Sequence, residues 1–558
     1  MIKEKYEKWL NHPGMDADLV EEMKNMTEEQ MNDAFYKDSE FGTAGMRGLL
    51  GAGTNRLNVY TIRKATLGFA RFLKEGAKVA IAYDNRFKSR EFAEESAKIL
   101  AANGLRSFVF ESLRTTPELS YAVRYLKCDG GIMITASHNP KEYNGYTVYD
   151  KNGCQMIPEL VQGVIDEINA IGDQLVDTPV LTKAQQELIV TVGENVDKPY
   201  FEDILSIQLR PELDKSDFTI VYTPQHGTSY LMIKRLFDAM GYNCVYVKEQ
   251  CNPDPAFSNT LSPNPEEKKA YNLAIEYGER VNADIILTTD PDGDRLGVAA
   301  LKNGKYEVLT GNQGGAVLLK YILTTLKDRN QIPANGVMFN TVVTSDLGDK
   351  VCAKFGVEVE KTLTGFKYIG DKIAKYEVTH EKEFLFGYEE SYGYLLKEFV
   401  RDKDANQSCL MLAEAANFYK KQGKNLWDAL EEIYEEYGYY LESQRSTMYA
   451  GADGNRQMKA MLEKVRANIP SELAGHKVVK YQDFLLRREC SDGVCTELNG
   501  FDVSDVLKFF LDDESWIAIR PSGTEPKCKF YFCIRGENHQ ETEEKQKAYY
   551  QAIDELVK

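Results

Sequence analysis

The sequence predicts an α/β protein of three repeated α/β domains followed by a smaller C-terminal α+β domain. Three observations predict it. An order of apolar strand, polar turn, amphipathic helix, glycine and second strand recurs three times along the chain. Each copy ends its third strand in a polar loop loaded with chemically active residues. After about Arg445 the order stops. At roughly 150 residues per domain, the 558 residues make about three or four domains, with boundaries read at 1–205, 206–323, 324–445 and 446–558.

The first copy opens with Val79–Tyr83 and the turn Asp84-Asn85-Arg86, runs through a helix to Gly104, continues with Ser107–Phe110 and reaches Gly131–Thr135. Its loop is Ala136-Ser137-His138-Asn139-Pro140. The second opens with Phe218–Tyr222, passes Gly241 and Cys244–Val247, and reaches Asp284–Thr289 before Asp290-Pro291-Asp292-Gly293-Asp294-Arg295. The third opens with Val337–Asn340, passes Gly356 and Val357–Val359, and reaches Glu383–Phe386 before Gly387-Tyr388-Glu389-Glu390-Ser391. Each glycine stands where a helix gives way to a strand, a position that favours left-handed backbone. Alternating strands and helices imply parallel or mixed layers covered on both faces, and ligands in such layers bind beyond the strand C-termini, where all three loops fall. The tail carries a helical stretch, Gly454–Asn468, and the strands Trp516–Ile519 and Lys529–Ile534, which flank Arg520–Lys527.

Composition narrows the function classes. A net charge of -18 argues against a general nucleic-acid binder, whose basic footprint dominates its binding. It leaves anionic substrates open, because a local basic loop outweighs a distant acidic surface. The stretch Met1–Leu10 mixes charges, unlike a secretory leader, and no run reaches the about 18 apolar residues that suggest a membrane span. Ten cysteines without a C-x-x-C pair are expected as reduced thiols of a cytoplasmic protein, with neither a disulfide framework nor a zinc site.

Four loops carry the chemistry. Ser137, at a strand end beside Pro140, suits a nucleophile; an ordinary Asn-Pro turn with capping Ser and His accounts for the same residue types. A serine hydrolase lacks support, since no G-x-S-x-G surrounds Ser137. Asp290, Asp292 and Asp294 alternate in a turn and can converge on one hard cation, Mg²⁺ being favoured over Zn²⁺ by oxygen ligands. An EF-hand fails, because its sixth position is Arg295 and its twelfth Leu301. Glu389 and Ser391 lie two apart, so an extended loop would turn both to one side, where they could grip sugar hydroxyls. Arg520, Ser522, Gly523, Thr524 and Lys527 make a compact anion cradle. A fifth segment, Phe41–Gly48, is glycine-rich and carries Arg47.

Taken in this order, the stretches TASHNP, DPDGDR, GYEES and RPSGTEP resemble the phosphoserine, metal, sugar and phosphate loops of the α-D-phosphohexomutase family. The resemblance runs from about Phe41 to the C-terminus and is nearest the longer phosphoglucomutase/phosphopentomutase-like branch, with Arg401-Asp402-Lys403-Asp404 after the sugar loop. It implies four domains around a central cleft, a phosphorylated Ser137, and Mg²⁺ shared by Ser137, Asp290, Asp292 and Asp294. It further implies that Arg520, Ser522, Gly523, Thr524 and Lys527 hold the non-reacting phosphate. Glu389 and Ser391 would read sugar hydroxyls with Thr364 and Gly365, and Arg47 and Arg295 would bracket the reacting phosphate. Family members commonly carry Lys after N-G-[FY]; here Tyr146 is followed by Thr147, which leaves His138 and Lys403 as candidate acid/base groups. The implied reaction interconverts glucose 1-phosphate and glucose 6-phosphate through glucose 1,6-bisphosphate, which doubles as activator. Mannose or pentose phosphates on the same scaffold, and a metal-dependent sugar-phosphate phosphatase, stay open. The expected partners are small sugar phosphates, with no nucleic acid and no membrane, for a monomer or homodimer.

Overall fold

In the computed structural model, which describes residues 2–42, 45–449, 454–522 and 527–558, the first repeat builds a six-stranded sheet. Its strands are β1 (Met46–Leu49), β2 (Lys78–Tyr83), β3 (Arg106–Phe110), β4 (Gly130–Ile134), β5 (Tyr143–Asp150) and β6 (Ile189–Val192) in the order β1-β5-β4-β2-β3-β6. Strands β2, β3, β4 and β6 run parallel. Strand β5 returns antiparallel to β4, and β1 lies antiparallel to β5 at the edge. The second repeat repeats the plan with β7 (Thr219–Thr223), β8 (Asn243–Tyr246), β9 (Ile285–Thr289), β10 (Leu296–Lys302) and β11 (Lys305–Leu309), in the order β11-β10-β9-β7-β8. Here β7 is parallel to β8 and β9, and β10 turns back on β9. The third repeat supplies a parallel pair, β12 (Gly336–Thr341) with β13 (Glu358–Thr362), and an antiparallel pair, β14 (Glu383–Glu389) with β15 (Gly393–Leu395). The layers are therefore mixed, and in the first two repeats the chemically loaded loop is the hairpin connection between a buried strand and its antiparallel return; in the third, Gly387–Glu389 belong to β14 itself and only Glu390 and Ser391 of the expected loop lie in the turn.

The local reasons are those of the sequence. Strand β4 is buried along its whole length, as a central strand covered on both faces must be. Gly241 (φ 78°) and Gly356 (φ 70°) occupy the left-handed position after their helices.

The chain forms two compact units, Met1–Gly314 with Phe366–Asn425, and Gly315–Gly365 with Leu426–Lys558. In the first, three N-terminal helices, α1 (Ile2–Leu10), α2 (Ala17–Lys24) and α3 (Glu28–Phe35), pack Trp9, Met23 and Phe35 into one core with Phe69, Ile81, Ile132 and Tyr146. Full burial of each such side chain stabilises by about 1.5–3 kcal/mol. Helices α4 (Val59–Leu73), α5 (Ser89–Ala102), α6 (Thr116–Tyr125) and α7 (Pro158–Ile171) belong to the same unit. The start of α6 is set by Thr115, whose side chain accepts from the Glu118 N–H, and by Pro117 in the first turn.

The second unit carries the tail. Its sheet contains β16 (Tyr439–Met448), β18 (His476–Asp483), β19 (Arg488–Ser491), β20 (Val494–Glu497), β21 (Leu507–Leu511), β22 (Trp516–Pro521) and β23 (Lys527–Gly536), ordered β16-β23-β22-β21-β18-β19-β20, with β17 (Glu472–Leu473) on β18. Leu507, Phe509, Ile517, Phe532 and the helix His539–Leu556 through Tyr549 and Ile553 form its core. One expectation is corrected here. Cys490 and Cys495, directly opposite across the β19–β20 hairpin, are joined in a disulfide; the tight hairpin brings together two cysteines whose spacing carries no pairing signal. The other eight cysteines are free. Among the described residues no helix is long and apolar enough to cross a membrane.

Candidate active site

Strand β4 delivers Thr135, Ala136 and Ser137 at the C-terminal edge of the first sheet. Ser137 takes φ 51°, a left-handed backbone that costs a residue with a β-carbon about 1–2 kcal/mol. Its N–H donates to Thr135 Oγ1 at 2.8 Å, which fixes the turn. Its hydroxyl, almost wholly buried, donates to Asp290 Oδ2 at 2.9 Å and lies 3.2 Å from His138 Nδ1. Strain held at a single polar residue, with the hydroxyl aimed at a carboxylate, is the arrangement a nucleophile needs.

The acceptor belongs to the hairpin between β9 and β10. Asp290 Oδ1 accepts the N–H groups of Asp294 (3.1 Å) and Arg295 (3.0 Å), so the loop wraps its own first carboxylate. Gly293 (φ 68°) must be glycine: a β-carbon there would stand 2.4 Å from Ser229 Oγ and 2.7 Å from Thr115 Cγ2. Three other elements anchor the loop from outside. Thr116, at the start of α6, donates its N–H to the Asp292 carbonyl (2.8 Å) and its hydroxyl to Asp292 Oδ2 (2.8 Å). Thr228 donates its N–H and its hydroxyl to the Pro291 carbonyl, each at 2.9 Å. Ala405, at the start of the helix Ala405–Lys420, donates to the Gly293 carbonyl at 3.1 Å.

Asp290, Asp292 and Asp294 are buried, and one oxygen of each lies within 4.8 Å of the others. Asp292 Oδ1 and Asp294 Oδ1 are shut off from solvent with no hydrogen-bond donor. Burial and the neighbouring Asp294 and Asp292 push Asp290 well above the ordinary carboxylate range, and burial with Asp294 pushes Asp292 up to about 6. Burial works the same way on Asp294, but Lys403 and Arg295 hold it below its ordinary value. Oxygens short of donors, on carboxylates that repel one another, fit a hard divalent cation. The triad can hold a metal ion.

Cations ring the triad. Lys403 Nζ lies 3.2 Å from Asp294 Oδ2 and 3.0 Å from Asp402 Oδ1, and the Tyr149 hydroxyl holds the other Asp402 oxygen at 2.8 Å. Burial opposes its charge, but Asp294 and Asp402 outweigh burial and raise the Lys403 pKa. These two carboxylates favour the ammonium form of Lys403. Arg295 pairs with Glu266 and lies 3.8 Å from Asp294 Oδ1. Arg47, on β1, is solvent-exposed, reaches Asn139 Oδ1 at 3.4 Å, and is attracted by Asp292 and Asp294 while Arg295 and Arg86 repel it. Glu389, at the buried end of β14, acts electrostatically on both Lys403 and Arg295.

Ser137, His138, Arg47, Asp290, Asp292, Asp294, Arg295, Lys403 and Glu389 thus lie in the first unit and are joined by contacts or charge. Ser391 follows in the same unit but not on an extended loop: Glu389 ends a strand and Ser391 sits in the tight turn to β15, so period-two alternation does not relate them. Thr364 and Gly365 lie in the second unit after β13, with Thr364 Oγ1 shielded from solvent and lacking a hydrogen-bond partner. Arg520 ends β22, Lys527 opens β23, and the Ser522 N–H donates to the Lys527 carbonyl at 2.7 Å, also in the second unit. Gly523 and Thr524 lie outside the described residues. Sequence reasoning missed Thr116, Thr228 and Tyr149, and gave no role to Asp402 within Arg401-Asp402-Lys403-Asp404; of the first three, only Thr116 is marked in advance, by the Thr115-Thr116-Pro117 helix-start signal.

Four consecutive family models match the chain. They are the phosphoglucomutase/phosphomannomutase α/β/α domains I (residues 38–175), II (198–304) and III (310–437) and the C-terminal domain (456–547). Curated relatives include a phosphoglucomutase of Staphylococcus epidermidis, 38% identical over 93% of this chain and 95% of its own length. Another, from Staphylococcus aureus, is 37% identical over 92% and 93%. The fold is shared with a phosphoglucomutase/phosphomannomutase family protein of Burkholderia thailandensis (TM-score 0.66, 18% identity, 92% of this chain and 96% of that one). It is also shared with the exocytosis-sensitive phosphoprotein pp63/parafusin of Paramecium, in its open form (TM-score 0.67, 18% identity, 94% and 95%). With three α/β/α domains, a C-terminal domain and an acidic triad beside a buried serine, the chain belongs to the phosphoglucomutase/phosphomannomutase family.

Proposed function

We propose that this protein is an isomerase that interconverts glucose 1-phosphate and glucose 6-phosphate by way of a phosphoserine at Ser137 and a glucose 1,6-bisphosphate intermediate. The observation that carries the reading is the strained Ser137, its hydroxyl 2.9 Å from Asp290 and beside two further carboxylates short of partners. The names of the curated relatives point to the same reaction.

In the reaction, an oxygen of the bound sugar monophosphate attacks the phosphorus carried by Ser137. The Ser137 Oγ–P bond breaks as the new O–P bond forms, and the proton of the attacking hydroxyl passes to the Ser137 oxygen, with His138 Nδ1, 3.2 Å from that oxygen, placed to relay it there and back in the return step. The bisphosphate then turns end for end, and Ser137 Oγ attacks the other phosphate, restoring the enzyme ester and releasing the isomeric monophosphate. Ser137, Asp290, Asp292 and Asp294 would hold Mg²⁺, which when bound offsets negative charge on the transferring phosphoryl oxygens. Arg47, Arg295 and Lys403 add fixed positive charge around the same oxygens. Glu389 and Ser391, with Thr364 and Gly365, would read sugar hydroxyls, and Arg520, Ser522, Gly523, Thr524 and Lys527 the non-reacting phosphate. The reading carries four domains divided near residues 205, 323 and 445, a cytoplasmic setting supported by eight free cysteines, and a monomer or homodimer.

A substrate panel tests it. Glucose 1-phosphate should give glucose 6-phosphate at higher kcat/KM than the mannose and ribose equivalents give their isomers, and intact mass should find one phosphate on Ser137. Ser137→Ala should lose both turnover and the added phosphate. Release of inorganic phosphate as the main product would replace the mutase by a phosphatase, and near-normal turnover of Ser137→Ala would remove the phosphoserine.

A further inference from the structure

The turn Asp84-Asn85-Arg86, which follows the first strand of the first repeat, has no part in the chemistry derived above, yet its arginine makes four hydrogen bonds to the loop that carries Ser137. Arg86 is buried. Its Nη2 donates to the carbonyls of Ser137 and Asn139, each at 2.5 Å. Its Nη1 donates to the carbonyls of Pro140 (2.8 Å) and Tyr143 (3.1 Å). Its Nε faces Asp84 Oδ2 at 3.2 Å, with neither side chain exposed. Four of the five N–H donors of the guanidinium thus meet loop carbonyls, and Asp84 stands beside the fifth as a counter-charge. The Arg86 Cζ lies over the Phe257 ring, 5.2 Å from the ring centroid.

Asp84 completes a closed circuit. It accepts from the Arg86 N–H (2.9 Å), from Ser89 Oγ (2.7 Å) and from Thr135 Oγ1 (2.7 Å). Thr135 Oγ1 in turn accepts the Ser137 N–H. Ser137 is therefore gripped on both sides, its N–H through Thr135 and Asp84 and its carbonyl by Arg86. The residue so held is the one in left-handed backbone, a conformation that persists only when its surroundings over-determine it.

We propose that Arg86, oriented by Asp84, is a positioning residue whose guanidinium clamps the Ser137–Tyr143 loop and so aims the Ser137 oxygen for phosphoryl transfer. The inference rests on the phosphoserine reading above. Only arginine offers a rigid planar fork with donors enough for the loop; lysine keeps the charge but brings three donors on a flexible stem. Charge alone would let Arg86→Lys work, whereas a clamp would not.

The test compares Arg86→Lys with Arg63→Lys. The second variant disturbs a different buried pair, Arg63 Nε to Glu95 Oε2 at 2.6 Å, on α4, and serves as a control for lost stability. The full-length protein is incubated with labelled glucose 1,6-bisphosphate and Mg²⁺, and transfer of label to Ser137 is timed beside steady-state kinetics and thermal unfolding. Displacing a reacting atom by about 1 Å costs on the order of 100-fold, so Arg86→Lys should slow both labelling and kcat by about that factor. KM should stay within about threefold, as expected when an interaction is lost only in the transition state. Arg63→Lys should lower the melting temperature and keep the wild-type labelling rate. If Arg86→Lys does not fold, Asp84→Asn carries the same comparison, with the same loss in labelling and kcat. Labelling of the clamp variant at the wild-type rate would overturn the proposal, as would a loss in Arg63→Lys equal to that in Arg86→Lys. Wild-type protein that never takes up label would overturn the phosphoserine reading itself, and the clamp with it.

Discussion

Replacing Thr116 by Val isolates what one hydroxyl does for the acidic triad. Thr116 holds Asp292 twice, through its N–H to the Asp292 carbonyl and through its hydroxyl to Asp292 Oδ2, each at 2.8 Å. Valine keeps the side-chain shape and the backbone bond, and removes only the donor to the carboxylate. A hydrogen bond to a charged acceptor contributes about 1.5–3 kcal/mol, which at about 1.4 kcal/mol per decade is roughly 10- to 150-fold in affinity. Outer-shell partners of metal ligands show a similar cost, about 10- to 100-fold. Thr116→Val should therefore raise the Mg²⁺ concentration for half-maximal activity by about tenfold to a hundredfold. At saturating Mg²⁺ kcat should recover to within about twofold, since the reacting groups are untouched. The assay is turnover across buffered free Mg²⁺, with thermal unfolding as a control for folding. A half-saturating concentration that does not move would refute the reasoning, because Asp292 would then be aimed without its hydroxyl partner.

Two further outcomes are expected. Chelation should abolish turnover and readdition of Mg²⁺ restore it; full activity in metal-free buffer would argue against the carboxylate triad as a cation site. Acid stability should depend on Glu377, whose carboxylate pairs with Arg124 (2.8 Å) and with the buried Arg401 (2.7 Å). The Arg124 hydrogen bond, against partial burial and together with Arg401, lowers its pKa from 4.5 to about 2. A depressed carboxylate contributes stability above its unfolded pKa and loses it as pH falls towards the folded value, so the window runs from about pH 4.5 down to about 2. Denaturant titrations in that window should show a shallower pH dependence for Glu377→Gln than for wild type, by a modest amount because the carboxylate is half exposed; identical slopes would remove the assignment.

Ser137 and the three aspartates are legible in the chain because each loop declares itself locally: a serine before an Asn-Pro turn, carboxylates at alternate positions around a glycine. The repeat is legible for a similar reason, since strand and helix periodicities and the glycines at helix ends are short-range signals. Most strand ends shift by only a residue or two, as in Gly130–Ile134 and Ile285–Thr289, whereas the second and third strands of the third repeat run three residues further, to Thr362 and Glu389. Residues that support the site are a different matter. Thr116 and Asp292 are 176 positions apart, Ser137 and Asp290 153, and Tyr149 and Asp402 253. The family resemblance joins Ser137 to Asp290 through a shared cation, but nothing in either partner's neighbourhood marks the other two pairs. The expectation of an extended loop through Glu389 and Ser391 failed because period-two alternation holds only while a strand continues, and the strand ends at Glu389.

By itself the sequence determined which residue types are available at the strand ends and that the same layered plan is used three times. Tertiary structure alone decided that Lys403 sits between two carboxylates, that Arg86 donates to four loop carbonyls, and that Cys490 faces Cys495. The reason is physical: residue identity and short-range periodicity are properties of the chain, whereas burial, charge pairing and hydrogen-bond direction arise only when segments hundreds of residues apart share one small volume shut off from water.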